Sequence, residues 1–515
     1  MLANIVKPRL DNLNNMNAER TNWKILLTFA CVFAVIAAIN QFIVLHWYAG
    51  SDEDIFSYVG YAWHRGDLPY INAFENKPPG IFLFWKLVWD IGGNLITART
   101  AAVIVTLASA ILITAMARRM WKSRYALIAG PVFLVLMCLP SSDYALADTE
   151  TFGIFFSLAA ISLVWPLGRR IDVTKALASG LLCGCAILFK PQFGIEAIVL
   201  LALLARGRGK LKHRIALTSA AGVSILLPIF AAVGYFHWRG ILPDFIDVAI
   251  RSTTLPGTVP SLYQRVIGLE FCLSSLSVPL VGAAIIAGSA ALYKSRFSGK
   301  EEIVRLLFLW FCGAMFGILM QGWCWAHQFK QIYPPLALLL PGIFCLYNES
   351  ESSYQEKAPA MASILVIFAL MLSSVLPFIG TVRHLQELSV SRNLNTECQI
   401  IEKKIAKYCK SSDRIWCYPR SPSSMYVDAR RLSATRHFDP VFLSSLEARG
   451  EVIGALSKGN ARVVLIDWKR VKSGEIDRSF NQSDRPGFHN ELRGVLARRY
   501  KDVGVIEGWR FYVFK

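Results

Sequence analysis

Apolar runs recur along the first 379 residues of this chain, and that pattern limits its fold more than any other feature. Runs suited to membrane spans lie near 25–46, 96–117, 126–140, 151–167, 176–189, 192–205, 215–236, 266–292, 303–320, 332–347 and 359–379. A helical crossing takes roughly twenty residues, so about eleven spans are expected. The fifth and sixth runs are short and are separated by Lys190-Pro191. Of the 515 residues, 54% are hydrophobic and 18% charged, and the mean hydropathy is +0.41. A water-soluble core does not need that much apolar chain. The fold class expected is a polytopic α-helical membrane protein spanning 1–379, with residues 380–515 as a small C-terminal α/β domain.

Orientation follows from the basic residues. Five groups fall on one side if the spans are counted as above: Lys7, Arg9, Arg20 and Lys24; Arg118, Arg119, Lys122 and Arg124; Arg169, Arg170 and Lys175; RGRGKLKHR at 206–214; and Lys294, Arg296 and Lys300. That side is read as cytoplasmic. The net charge of +19 is then explained by short loops facing anionic membrane lipid, and no nucleic-acid partner is expected. The acidic loop NESESSYQEK at 348–357 dissents, but Asp and Glu carry little weight in the rule. The other side holds 47–95, 141–150, 237–265, 321–331 and everything after 380. In a bacterium this means an inner-membrane protein with a cytoplasmic N-terminus and a periplasmic C-terminal domain. The polar stretch MLANIVKPRLDNLNNMNAERTNWK lacks signal-peptide form, so the first span is expected to be a retained anchor.

Residues 380–515 are polar, with strand-like runs RIWCYP at 414–419, RVVLIDW at 462–468 and WRFYVF at 509–514, and an amphipathic helix pattern at 394–409. Cys409 and Cys417 form one candidate disulfide. The cysteines in apolar runs are read as packing residues, and no Cys/His set has metal-ligand spacing.

The first outer loop, 47–95, concentrates the chemistry. Asp52, Glu53 and Asp54 follow the first span directly. They are either solvated loop residues, oxygen ligands for a divalent cation (Asp52 and Asp54), or a source of one general base. DIFSYVGYAWHRG and IFLFWKLVWDIGG are expected as two amphipathic helices along the membrane surface. Between them, FENKPPG places Lys77 ahead of two prolines. Proline removes a donor and forces the preceding residue to be extended, so the corner fixes where the ammonium points. Lys77 is then either a lysine snorkelling to the headgroups or a fixed cation for a lipid phosphate.

The succession of DE, an aromatic, GDLPY and ENKPPG resembles the first periplasmic loop of membrane glycosyltransferases of the GT-C superfamily. Within it, the chain resembles the bacterial branch related to protein mannosyltransferases and to the lipid A aminoarabinose transferase (family 39/83-like). The resemblance implies a GT-C-like fold and a sugar carried on polyprenyl phosphate, with Asp52 as the catalytic carboxylate and Lys77 facing the donor phosphate. The extra carboxylate in Asp-Glu-Asp leaves open which acid is central, and leaves metal use open. ADTETFGIFF at 147–156 resembles the family's acidic motif, which points to Asp148 and Glu150; a helix-capping role is the plainer alternative. LFKPQFG at 188–194 points to Lys190, and AHQFKQIYPPLALLLPG at 326–342 to His327, Lys330 and Tyr333, as donor-phosphate residues. For Lys190 a snorkelling role, and for His327 an interfacial one, are the alternatives.

This implies transfer of a single sugar, with inversion, to a periplasmic acceptor: lipopolysaccharide, another surface glycan or lipid, or protein. A lipid-linked glycan transporter is the non-enzyme rival, but no internal repeat is evident. A polysaccharide ligase or polymerase is the nearer rival. A P-loop, HExxH, GxSxG and dinucleotide fingerprint are all missing from the sequence.

Overall fold

The computed structural model describes residues 51–137, 147–165, 171–207, 209–251, 299–321, 325–348, 399–418, 423–443, 445–467 and 485–515, with four residue pairs between 27 and 39 and a single position at 266. Most of run 25–46, all but one residue of 266–292 and all of 359–379 therefore lie outside the described residues. The chain divides into two compact units.

The first unit comprises Met1–His46, Thr100–Phe230 and Pro260–Arg383 and is helical throughout its described part. Its elements are most of α3 (Leu95–Trp121), a 3-10 turn at Arg124–Ile128 leading into α4 (Ala129–Met137), α5 (Thr149–Val164), α6 (Val173–Phe189), α7 (Gly194–Arg206), most of α8 (Leu211–Trp238), α9 (Glu301–Gln321) and α10 (Tyr333–Asn348). Among the described residues three helices, α3, α8 and α9, are long and apolar enough to cross a membrane. They leave large apolar side chains outward, such as Ile111 on α3, Phe230 on α8 and Phe316 on α9. A helix apolar on both its packed and its outer face belongs in lipid. α5 and α6 are apolar but shorter.

The second unit comprises Trp47–Arg99, Ala231–Val259 and His384–Lys515. It joins the first outer loop to the C-terminal residues. α1 (Ser51–His64) carries Asp52, Glu53 and Asp54 in its first turn, where a helix N-terminus favours negative charge. α2 (Pro79–Asp90) opens with Pro79 after an extended Pro78, because proline suits the first helical position. The Lys-Pro-Pro corner is therefore the start signal of α2. Gly60 lets the two helices touch: a Cβ there would lie 2.4 Å from the Trp85 Cβ.

The expectation of two surface-lying helices is corrected for α1. Residues 53–63 are buried throughout, because α2 covers one side and C-terminal residues cover the other. The Tyr58 ring lies 4.9 Å from that of Tyr426 and 4.3 Å from that of Phe438, and its hydroxyl accepts from the Ser433 amide at 2.8 Å. α2 does present two faces: Ile81, Phe82, Trp85 and Val88 are buried, Leu83 and Leu87 exposed.

The C-terminal residues build a five-stranded sheet in the order β2-β1-β3-β5-β4. The strands are β1 (Arg414–Tyr418), β2 (Leu432–Ser433), β3 (Val463–Asp467), β4 (Tyr500–Ile506) and β5 (Trp509–Phe514). β1 pairs parallel with β2 and β3, while β5 runs antiparallel to both β3 and β4. α11 (Ser423–Asp428), α12 (Leu446–Ser457) and α13 (Arg485–Arg499) complete it, with a helix at 399–408. Val452, Leu456, Val464, Leu492 and Leu496 pack one core. Cys409 and Cys417 are free thiols, so the candidate disulfide is not formed. Cys417 is fully buried in β1 and the cost of burying its charge pushes its thiol far above the ordinary range.

Candidate active site

In the second unit, the three carboxylates of α1 meet different surroundings. Glu53 is taken by Arg99, from the first turn of α3: Nη2 lies 2.6 Å and Nε 3.1 Å from Oε2, with both side chains essentially inaccessible. A guanidinium gripping a carboxylate in this way holds it in place. Asp54 is buried, and its Oδ2 has no hydrogen-bond partner among the described residues. Burial above all, then the charges of Glu53, Asp428 and Asp439, push its carboxyl well above the usual carboxylate range; Arg99 opposes them. Asp52 is the least buried of the three.

Lys77 sits on Glu75. Its amide donates to Glu75 Oε1 at 3.2 Å, and its ammonium lies 3.4 Å from the same oxygen and 3.4 Å from Asn76 Oδ1. The Nζ also stands 6.0 Å from the Phe56 ring centroid, in cation–π range. Glu75 is almost fully buried while Lys77 keeps about a third of its side chain accessible (5% against 31%). Burial raises the Glu75 carboxyl, the Lys77 charge lowers it and Asp52 raises it further.

The loop that carries Lys77 is tied down from the C-terminal side. Arg414 grips Asp67 with two bonds of 2.7 and 2.8 Å, and the Phe74 amide donates to the Arg436 carbonyl at 2.9 Å.

In the first unit, Asp148 caps α5 through the Thr151 amide at 2.8 Å, so the capping role is realised. It also accepts from the Lys330 ammonium. Glu150 accepts from the Lys190 ammonium and, at 2.7 Å, from the Thr149 hydroxyl; His327 Nε2 lies 3.8 Å from it. All four charged groups are at most 5% exposed. Lys190 is extended (φ −157°, ψ 128°) where α6 ends, as the following proline requires, and this break turns its side chain onto Glu150. Tyr333 is buried at the start of α10. Thus Asp148, Glu150, Lys190, His327 and Lys330 come together in one unit, and Asp52, Glu53, Asp54 and Lys77 belong to the other. Among the described residues, no group of three or more His, Cys, Asp or Glu side chains is placed to hold a metal ion.

Three partners escaped the sequence reading. Glu75 stood inside the quoted motif beside Lys77. Arg99 is a charge at the start of an apolar run, which is itself a signal. Glu196, fully buried in α7, accepts from Trp310 Nε1 at 3.2 Å and Gln331 Nε2 at 2.9 Å; Gln331 also donates to the Gln192 carbonyl at 3.1 Å.

Residues 76–236 match the family model described as dolichyl-phosphate-mannose-protein mannosyltransferase. The chain is 24% identical over 332 residues to the dolichol phosphate-mannose mannosyltransferase of Haloferax volcanii, covering 62% of this chain and 67% of that one. Its fold is similar to two crystal structures of ArnT from Cupriavidus metallidurans. With undecaprenyl phosphate bound, the TM-score is 0.60 at 14% identity, over 94% of this chain and 97% of that one. In the apo state it is 0.57 at 14% identity, over 96% and 98%. Residues 76–236 are thus similar to the dolichyl-phosphate-mannose-protein mannosyltransferase family, and the fold of the chain is similar to that of ArnT.

Proposed function

We propose that this chain moves a single sugar from a polyprenyl-phosphate donor to an acceptor at the outer face of a bacterial inner membrane, with inversion at the anomeric carbon. The observation that carries the proposal is the Lys77 corner. Its ammonium is fixed on Glu75 and partly accessible, in the same unit as a helix whose first turn is Asp52-Glu53-Asp54. In the proposed reaction the acceptor oxygen forms a bond to the anomeric carbon as the bond to the phosphate oxygen breaks. The acceptor hydroxyl loses its proton to Asp52, and the leaving phosphate takes the bonding electrons. A carboxylate suits the proton, and a pre-placed cation stabilises charge as it develops on phosphate. Asp52 is favoured over its neighbours because Glu53 is held by Arg99 and burial favours the protonated form of Asp54.

Lys77 is assigned the donor phosphate. Lys190 and Lys330, each buried on a carboxylate, are assigned to an electroneutral cluster that shapes the first unit, with His327 beside Glu150 and Tyr333 buried at the start of α10. A divalent cation would add a charge on the phosphate, but buried Asp54, whose protonated form is favoured, does not suit it as a partner ligand to Asp52; chelation tests metal use separately.

The purified protein would be given radiolabelled polyprenyl-phosphate sugars and a membrane lipid extract. Transfer by the wild type, lost in both Asp52→Asn and Lys77→Ala, is the expected result. Unchanged transfer in Asp52→Asn moves the base elsewhere, and donor binding without any sugar release overturns the enzymatic reading. Loss of transfer on chelation assigns a metal to the site.

A further inference from the structure

Two adjoining cavities open in the second unit, of about 650 and 490 Å³. Both are lined by Ile71, Thr435, Arg436 and Asn460. The larger continues along α12 past Gly450 and Gly454 to Lys458, and the smaller reaches Asn72 and Arg414. Each is within the size range of small-molecule sites.

The floor of the larger cavity is unusual for a helix. Gly450 and Gly454 stand one turn apart in the interior of α12, and a Cβ added at either would meet no atom within 4 Å. Glycine weakens a helix interior, and here packing among the described residues gives no reason for either residue. What the two glycines do is leave one turn of backbone bare at the cavity.

The walls are polar and carry positive charge. Arg414, Arg436 and Lys458 line the cavities against one carboxylate, Glu451. Arg414 is engaged by Asp67 and the Ser433 carbonyl, and Arg436 by Glu451. A guanidinium has five N–H donors, so each keeps donors without a partner among the described residues. The Asn72 side chain accepts from the Leu68 amide at 2.9 Å, which leaves its amide hydrogens for another acceptor. Amide and guanidinium donors around a bare helical turn suit hydroxyl-rich rings bearing an acidic group.

We propose that this double cavity binds an anionic glycan of the acceptor, with sugar rings over the Gly450–Gly454 turn and a carboxylate or phosphate at Arg436 and Lys458. The proposal rests on the reading that the acceptor carries a glycan, so its test measures binding directly and does not require transfer. Full-length protein in detergent would be titrated with fluorescent tetragalacturonate, with maltotetraose, with maltotetraose phosphorylated at one end, and with a tetraglutamate peptide. At least one anionic sugar should bind roughly tenfold more tightly than maltotetraose. The preferred sugar identifies the acidic group. Gly454→Leu, which covers the bare turn, and Lys458→Glu should each weaken that binding by roughly tenfold; Gly454→Ala, which adds only a methyl group in open space, should leave it intact. Equal binding of neutral and anionic sugars, tetraglutamate binding as tightly as the sugars, or Gly454→Leu binding like the wild type would each overturn the proposal. Intact sugar binding by a protein that never transfers would instead count against the enzymatic reading.

Discussion

The Tyr70 hydroxyl donates a hydrogen bond to the Lys77 carbonyl oxygen at 3.0 Å, closing the turn that carries the lysine. Tyr70 has a φ of 71°, a conformation that costs an aromatic residue energy. Contacts hold it there: its ring lies 5.9, 5.3 and 5.2 Å from those of Phe82, Phe236 and Phe245. Tyr70→Phe keeps the rings and deletes the bond. It should cost about 1 kcal/mol of stability, yet lower transfer by roughly ten- to a hundredfold, because catalysis tolerates little displacement of a charged group. Initial rates beside a thermal melt check this; a Phe variant that transfers at the wild-type rate would remove the positioning role.

Glu53 and Arg99 are both inaccessible, so each depends on the other. Removing one partner of a buried pair leaves an uncompensated charge, at a cost of about 3–5 kcal/mol. Glu53→Gln and Arg99→Gln should each destabilise the protein strongly, and the double variant should lose less than the sum. Additive losses in the melting series would show that the two residues are not coupled.

Asp54 gives a pH signature. Its folded carboxyl is raised by burial and by Glu53, Asp428 and Asp439, so the folded chain holds a proton that the unfolded chain releases. Its contribution is fully present below the unfolded carboxylate pKa and is lost as pH rises through the folded value, with a limiting slope of about 1.4 kcal/mol per pH unit. His437 acts oppositely: burial lowers its pKa from 6.5 to about 4, so its stabilising effect is lost as pH falls across that window. Asp54→Asn should flatten the wild-type decline above the unfolded carboxylate pKa and leave the His437 slope in place. Chemical denaturation at a series of pH values reads both, and an unchanged decline in Asp54→Asn would show that other groups cause it.

How much of this was legible depended on whether a residue's environment comes from its own neighbours in sequence. Runs 96–117, 215–236 and 303–320 emerge as α3, α8 and α9 because length and apolarity decide a long helix locally. β1, β3 and β5 fall on the three runs rich in β-branched and aromatic residues. β4 was invisible: YKDVGVI is an edge strand, mostly accessible, whose pattern follows pairing with β5 and not burial. α1 looked two-faced, because the partners that bury its other side, Tyr426 and Phe438, come more than 350 residues later. The site followed the same rule. The proline after Lys190 and the proline pair after Lys77 marked two lysines with a locally set backbone, but that Glu75 pairs with Lys77 and Arg99 with Glu53 was identifiable only once the chain was folded.

The lysine–carboxylate cluster of the first unit separates a structural role from a chemical one. Lys190 and Glu150 are both buried and paired, with His327 Nε2 at 3.8 Å from the same carboxylate. Lys190→Met strands Glu150 and should cost about 3–5 kcal/mol, whereas Lys190→Met with Glu150→Met replaces two charges by apolar volume and should recover most of that loss. The Lys330–Asp148 pair should recover less in the corresponding double variant, because Asp148 also caps α5 through Thr151, and losing a cap costs about 1 kcal/mol on its own. Melting temperatures in one detergent give the two cycles, and transfer assays on the same samples give the decision. A Lys190→Met/Glu150→Met protein that is stable and active confines the pair to structure. One that is stable but inactive shows that the Lys190 charge acts on the reaction, and would return that residue to the donor phosphate.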